Sequence, residues 1–252
     1  MRSITVIIPT YNEAENLEQL LPLVNWADEV LVIDSFSEDD SVQIAQKYGA
    51  RIEQHVYENS AAQKNRAIEW ASHEWIFLID ADERPTAALI SEIQSLLKQK
   101  SIEKEAFWIG RSNYFLNKRV RYSGWQNDAV IRFFNKNHCR YAQKHVHAEV
   151  ECSGKVGRLN NKLIHYTFKD FDHFLEKMHR YAKWSAKDHL EQTKSVGLFH
   201  LLLKPLFRFF KHYILQGGIL DGRVGFIISV LMSWGVLLRY LYILELQSLQ
   251  KK

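Results

Sequence analysis

Apolar and polar positions change their period repeatedly along the first hundred residues. Residues 4–9 form a short, mostly apolar run of strand chemistry, and Ala14–Val24 places Leu17, Leu20, Leu21 and Val24 on one helical face. Glu29–Asp34 again reads as a strand, 41–48 as a helix ended by Gly49, and 51–56 as a third strand. A helix over 61–72, a strand over 75–79 and a helix over 86–97, opened by Pro85, complete the pattern. Strands separated by helices imply an α/β domain whose sheet is mostly parallel, with right-handed crossovers.

From residue 105 onward the texture changes. Aromatic and basic residues alternate, short strands are predicted at 106–111, 129–135 and 145–151, and 170–192 has helical spacing. Residues 198–215 are apolar but interrupted by Lys204, Pro205, Arg208 and Lys211. A glycine-rich turn at 217–222 precedes an almost uncharged run over 224–238. That run is shorter than the eighteen or so residues expected of a spanning helix, so it reads as an interfacial or re-entrant helix. The alternative is a helical hairpin packed on the domain or in a dimer interface. Three segments are therefore expected: 1–100, 101–194 and a helical membrane-surface appendage at 195–252.

Charge sharpens this division. The net charge of +4 is the sum of −10 over residues 1–99, +9 over 100–194 and +5 over 195–252. An acidic first segment suits a cation, and a basic remainder suits an anionic acceptor or an anionic membrane surface. The apolar run at the N-terminus is too short for a signal peptide, which predicts a cytosolic chain. In that reducing compartment Cys139 and Cys152 are expected to stay thiols.

In a parallel sheet, ligands bind at the carboxyl ends of the strands. Three polar groups fall there: Thr10-Tyr11-Asn12-Glu13, Asp34-Ser35 and Asp80-Ala81-Asp82. Two carboxylates one residue apart at a strand end can face one Mg²⁺ or Mn²⁺, with substrate phosphates as further oxygen ligands. Such an ion neutralises charge on a departing diphosphate. The plain alternative is a solvated turn. Asp34 either accepts hydrogen bonds from a base or ribose, or caps its own turn. Tyr11 either stacks on a base or is a rim aromatic, and Lys64 and Arg66 either reach phosphates or form a solvated face.

Asp128, after a Gly-Trp turn and before a strand, either takes a proton from an attacking hydroxyl or pairs with Arg132. His145, His147 and Glu149 alternate on one predicted strand face, and His165 follows a strand-like Lys162-Leu163-Ile164; one histidine is a candidate to complete the Asp82 metal site. No Gly-X-Gly-X-X-Gly, Walker loop, Gly-X-Ser-X-Gly elbow or RNA-recognition signature is present. Dinucleotide, ATPase, serine-hydrolase and nucleic-acid readings lose their support accordingly.

These motifs together resemble the family 2 glycosyltransferases of GT-A fold. The likeness is carried by Val6-Ile7-Ile8-Pro9-Thr10-Tyr11-Asn12-Glu13, Val32-Ile33-Asp34-Ser35, Lys64-Asn65-Arg66-Ala67 and Ile79-Asp80-Ala81-Asp82-Glu83. Asn113-Tyr114-Phe115, Gly124-Trp125, Asp128 with Arg132-Phe133-Phe134, Val146-His147 and Gly217 to Gly222 are similar to lipopolysaccharide inner-core glucosyltransferases of Gram-negative bacteria.

The resemblance implies a UDP-sugar donor, UDP-glucose first, with Thr10, Tyr11, Glu13, Asp34 and Lys64 around the uridine and Asp80 at the ribose. It places the metal, Mg²⁺ or Mn²⁺, on Asp82, with His147 or His165 as an added ligand, and makes Asp128 the catalytic base. The acceptor implied is a heptose of an anionic lipopolysaccharide core, at the cytoplasmic face of the inner membrane, and the transfer inverts the anomeric centre. One departure stands out: Ile33-Asp34-Ser35-Phe36-Ser37 replaces the usual Asp-Asp-Gly-Ser, leaving one carboxylate and no glycine. Rival readings are a polyprenyl-phosphate or protein glycosyltransferase and, outside enzymes, a nucleotide-sugar or glycolipid binding protein.

Overall fold

A computed structural model describes residues 2–142, 149–167 and 171–250. Its elements run β1 (Ile4–Thr10), α1 (Ala14–Val24), β2 (Glu29–Asp34), α2 (Ser41–Lys47), β3 (Arg51–Gln54), α3 (Ser60–Trp70), β4 (Trp75–Leu78), β5 (Glu83–Pro85) and α4 (Ala87–Lys98). They continue as β6 (Ala106–Phe115), β7 (Lys118–Arg119), β8 (Ala129–Asn135), β9 (Cys139–Tyr141), β10 (Val150–Cys152), β11 (Val156–Tyr166), α5 (Phe171–Leu190), α6 (Lys204–Phe210) and α7 (Gly222–Leu249). Two compact units result: residues 1–112 with 128–165, and residues 113–127 with 166–252. The expected cuts at 100 and 194 follow composition, whereas these units follow contacts, so the boundaries fall at different places.

In the first unit, β3, β2, β1 and β4 are parallel neighbours, and β8, antiparallel to both β4 and β6, extends the sheet towards β6, β11 and β5. The sheet is thus mixed, its parallel part being the half that the alternation of strands and helices predicted. Alternation along β1 sends Val6 and Ile8 to one face and Ile7 to the other. The first face is covered by Leu17, Leu20, Leu21 and Val24 of α1 and by Leu89, Ile93 and Leu97 of α4. The opposite face receives Ala61, Ala67 and Ile68 of α3. Both faces being covered explains why these strands read as continuous apolar runs.

Pro85 does not open a helix, contrary to expectation. It ends β5, and Thr86 caps α4 by accepting a hydrogen bond from the Leu89 amide. Cys139 and Cys152 face each other as register partners across the β9–β10 hairpin and are joined by a disulfide. That corrects the expectation of two thiols: the sequence did not reveal that a hairpin opposes them. Of the strand predicted over 145–151, residues 143–148 lie outside the described residues, and Val150–Cys152 is strand.

In the second unit, Phe115, Val120, Phe174, Val224 and Ile228 form one apolar cluster and Ala186, Tyr240 and Ile243 another. The apolar run predicted at 224–238 belongs to a longer helix. Arg239 does not end it; the guanidinium lies 4.9 Å from the Tyr240 ring centre, and α7 continues to Leu249. With its 28 residues, α7 is long and apolar enough to cross a membrane by length and composition, which corrects the shorter estimate. Nor is it amphipathic: Val224, Ile228, Leu238 and Ile243 are buried, while Phe226, Val230, Trp234 and Leu241 are exposed.

Candidate active site

The carboxyl ends of β1, β2 and β4 lie side by side in the first unit, as the strand pairing requires. Thr10 is the register partner of Asp34, and the Ile79 amide donates to the Ile7 carbonyl. The loop after β1 turns at Asn12, whose φ of +53° is left-handed. It is locked to the loop after β2, because the Asn12 amide donates to Ser37 Oγ (2.9 Å), the Glu38 amide to Asn12 Oδ1 (2.8 Å) and the Glu13 amide to Ser41 Oγ (2.8 Å). Glu13 itself accepts from Asn16 Nδ2 at 2.7 Å. Thr10 is buried, and Tyr11 is 55% exposed above this loop pair, open to a flat partner.

Asp34 is fully buried. Its carboxylate accepts from the amide and hydroxyl of Ser37 and from Gln54 Nε2 at 3.0 Å. Of the two roles open to it in sequence, it performs the capping one here. Phe36 holds a φ of +61° although it is not glycine. The loop keeps a left-handed backbone despite lacking the glycine the resemblance calls for, at a cost of roughly 1–3 kcal/mol.

Beyond β4 the charges condense into a network. Lys64 on α3 meets Asp80 Oδ1 at 2.9 Å, with the Lys64 ammonium 5.3 Å from the centre of the Tyr141 ring. Arg132 on β8 donates to Asp80 Oδ2, to Glu83 Oε1 (3.0 Å) and to the Tyr141 hydroxyl (3.2 Å). Glu83 is fully buried; it also accepts from Arg111 Nη1 (3.3 Å) and, through Oε2, from the Asp80 amide (3.0 Å). Arg111 on β6 grips Asp128 with two parallel bonds, Nε to Oδ2 at 3.0 Å and Nη2 to Oδ1 at 2.8 Å. Three cations and three carboxylates thus neutralise one another in a continuous chain from Lys64 to Asp128. The Asp128 side chain, a quarter exposed, is its accessible end.

The sequence offered Arg132 as the partner of Asp128. The structure gives that place to Arg111, because the β6–β8 pairing sets Arg111 beside Asp128, with the Arg111 amide donating to the Asp128 carbonyl at 2.9 Å. Glu83, Arg111, Arg132 and Tyr141 were not singled out as site residues. Two of them carried a signal, since Glu83 directly follows Asp80-Ala81-Asp82 and Arg132 closes the Asp128 motif.

His165 reaches the site through a strand pairing that spans eighty residues. On β11 it is the register partner of Glu83 on β5, and its Nε2 lies 3.5 Å from Asp82 Oδ2. Asp82 and His165 are both partly accessible, at 26% and 11% of their side chains. An oxygen and an imidazole nitrogen so placed fit a divalent ion whose remaining ligands come from a diphosphate. Among the described residues no cluster of three or more protein ligands forms. His145 and His147 lie outside the described residues, whereas Glu149 is exposed on the run into β10.

Burial works to raise the pKa of Asp80, but Arg132 and then Lys64 overcome it and hold the carboxyl far below the usual range. Burial likewise works against the charge of Arg132, yet Asp80 and Glu83 keep it firmly protonated. A carboxyl with a depressed folded pKa contributes stability that is full above its unfolded value, about 3.8, and is lost as pH falls towards the folded value. Thermal melts taken from neutral pH into acid should therefore steepen below about pH 4. Asp80→Asn should flatten that acid limb.

The profile for the family described as glycosyl transferase family 2 matches residues 5–153. A Rickettsia felis relative named an uncharacterized glycosyltransferase is 27% identical, with 95% of this chain and 88% of that protein covered. The lipopolysaccharide core biosynthesis glycosyltransferase LpsC of Rhizobium meliloti is 26% identical, with 89% of this chain and 85% of LpsC covered. Among solved structures, S. aureus TarS 1–349 is 14% identical at a TM-score of 0.49, with 98% of this chain and 91% of that one covered. The motifs at the strand ends, the α/β sheet that presents them and the profile over more than half of the residues agree: the chain belongs to glycosyl transferase family 2.

Proposed function

We propose that this glycosyltransferase transfers a hexose, glucose in the first instance, from a UDP-sugar to a heptose of a lipopolysaccharide core in a Gram-negative bacterium, inverting the anomeric centre. The observation that carries the reading is the charged chain from Lys64 to Asp128, with Asp82 and His165 beside it. It gathers a metal platform and an oriented carboxylate at the carboxyl ends of the strands. LpsC, whose name places it in lipopolysaccharide core biosynthesis, supports the acceptor class.

In this reading Thr10, Tyr11 and Glu13 bound the uridine, with Tyr11 free to stack on the base. Asp34 shapes the loop behind them. Asp80, held ionised by Arg132 and Lys64, accepts from the ribose. Asp82 and His165 hold the Mg²⁺ or Mn²⁺, which when bound neutralises charge on the departing diphosphate. Asp128 takes the proton of the acceptor hydroxyl, and the fork of Arg111 fixes the direction of its lone pairs.

The enzyme works peripherally at the cytoplasmic face of the inner membrane. Support comes from the basic middle of the chain and from the apolar residues that the second unit turns outward. Helix α7 packs along α5, which carries Glu176, Lys177, Arg180, Lys183, Lys187 and Asp188. The charges that α5 exposes fit a helix pair at the interface better than one in the hydrocarbon interior.

A donor screen that follows released nucleoside diphosphate, run with Mn²⁺, with Mg²⁺ and in chelator, tests the reading. Turnover with a UDP-hexose, lost in chelator and restored by either ion, is the expected result. Asp82→Asn should demand a higher metal concentration for the same rate. Full activity in chelator removes the metal role of Asp82 and His165, and turnover with no UDP-sugar removes the donor assignment.

A further inference from the structure

Between residues 198 and 220 the usual amphipathic arrangement is inverted. Every exposed residue there is Leu, Ile or Phe, among them Leu202, Leu203, Leu206, Phe207, Phe210 and Ile214. The cations of the same stretch turn inward, against α7. Lys204 donates to the Tyr240 hydroxyl at 2.6 Å, and Ser233 Oγ on α7 donates to the Pro205 carbonyl at 2.7 Å. Arg208 and Lys211 are half-buried on the same helical run, and Arg239 is half-buried on α7.

These inward cations lack a counterion. Among the described residues no carboxylate ion-pairs with Lys204, Arg208, Lys211 or Arg239. The Nε atoms of Arg208 and Arg239 are buried and donate to nothing, and His212 Nε2 is buried without a partner. Burial and then the charge of Arg239 pull the pKa of Arg208 below its ordinary value. Lys204, one turn before Arg208, and Arg239 both lie over the Tyr240 ring, at 4.8 and 4.9 Å from its centre, and cations gathered there, with an idle N–H on each arginine, are costly unless an anion joins them.

We infer that Arg208 and Arg239, with Lys204 beside them, form a binding site for the phosphate of an anionic membrane lipid whose acyl chains lie along the exposed Leu and Phe side chains of 198–220. The guanidinium fork matches phosphate geometry and can bind it bidentately. A soluble anion would satisfy the arginines and leave the apolar face in water, whereas a phospholipid satisfies both at once. The inference deepens the membrane-surface reading and rests on it.

Flotation of the full chain with vesicles tests both. The vesicles are phosphatidylcholine alone, or phosphatidylcholine doped with phosphatidic acid or with oleate to equal surface charge. Binding to the phosphatidic acid vesicles should be roughly tenfold tighter than to the oleate vesicles. Arg208→Gln with Arg239→Gln should erase that preference, whereas the exposed-charge control Lys194→Gln with Arg223→Gln should weaken both anionic vesicles alike. Arg208→Lys with Arg239→Lys, which keeps charge and loses the fork, should retain only part of the preference and serves if the Gln pair does not fold by circular dichroism. Equal binding to the two anionic vesicles, or a preference that survives the Gln and Lys pairs, overturns the phosphate site and leaves the membrane reading standing. No binding to any vesicle overturns the membrane reading itself. Stabilisation by inorganic phosphate that depends on both arginines, without preference among vesicles, overturns the lipid assignment.

Discussion

Asp128→Asn is expected to lower turnover by roughly 10²–10⁴-fold, the range general-base catalysis supplies, while leaving affinity for the sugar donor within a few-fold of the native enzyme. The substitution keeps the shape of the side chain and one acceptor for Arg111, so the loss falls on proton removal. Asp128 is the exposed end of the charge chain, and the two-pronged grip of Arg111 makes it a fixed acceptor. Single-turnover rates across pH separate a base from a structural pair: a base loses its acid-side inflection in the Asn variant, and a structural pair loses its melting temperature instead. Native turnover in a folded Asp128→Asn protein refutes the role.

The second large effect is on stability. Glu83→Gln should destabilise the fold by about 3–5 kcal/mol, the usual consequence of removing one partner from a buried charge cluster. For a chain of this size that corresponds to roughly 6–20 °C in melting temperature. Glu83 has no exposure and balances parts of both Arg111 and Arg132. Its loss leaves the buried cluster with one uncompensated positive charge. Combining it with Arg132→Met, which restores the balance, should cost less than the sum of the two single changes by about 0.5–3 kcal/mol. Thermal or urea melts measure all three variants. Additive losses show that the two residues stabilise the fold independently and refute the cluster.

The acidic motifs could be read because local chemistry decides them. Asp34, Asp80 and Asp82 each end an apolar run, and in a parallel sheet that places them at one edge whatever the loops do. Alternation along 4–9 could not say which face Ile7 served, but covering both faces makes the question immaterial to the pattern. Helices α1, α3 and α4 declared themselves by three-four spacing. Where spacing misled, a distant partner was responsible. Pro85 looked like the start of a helix, but pairing with Leu163 on β11 makes it the end of a strand.

The sequence by itself determined the order of strands and helices through β4, the carboxylates at the strand ends and the apolar nature of the tail. Periodicity and strand-end chemistry are local and survive without knowledge of neighbours. Only the tertiary structure decided that Arg111 rather than Arg132 holds Asp128 and that Glu83 is the buried hub. It alone decided that His165 stands beside Asp82, that Cys139 opposes Cys152, and that the tail turns its cations inward. Each of these depends on a pairing between segments that local sequence does not announce. Within the sheet, register fixes which side chains meet, and a one-residue slip would exchange every one of them.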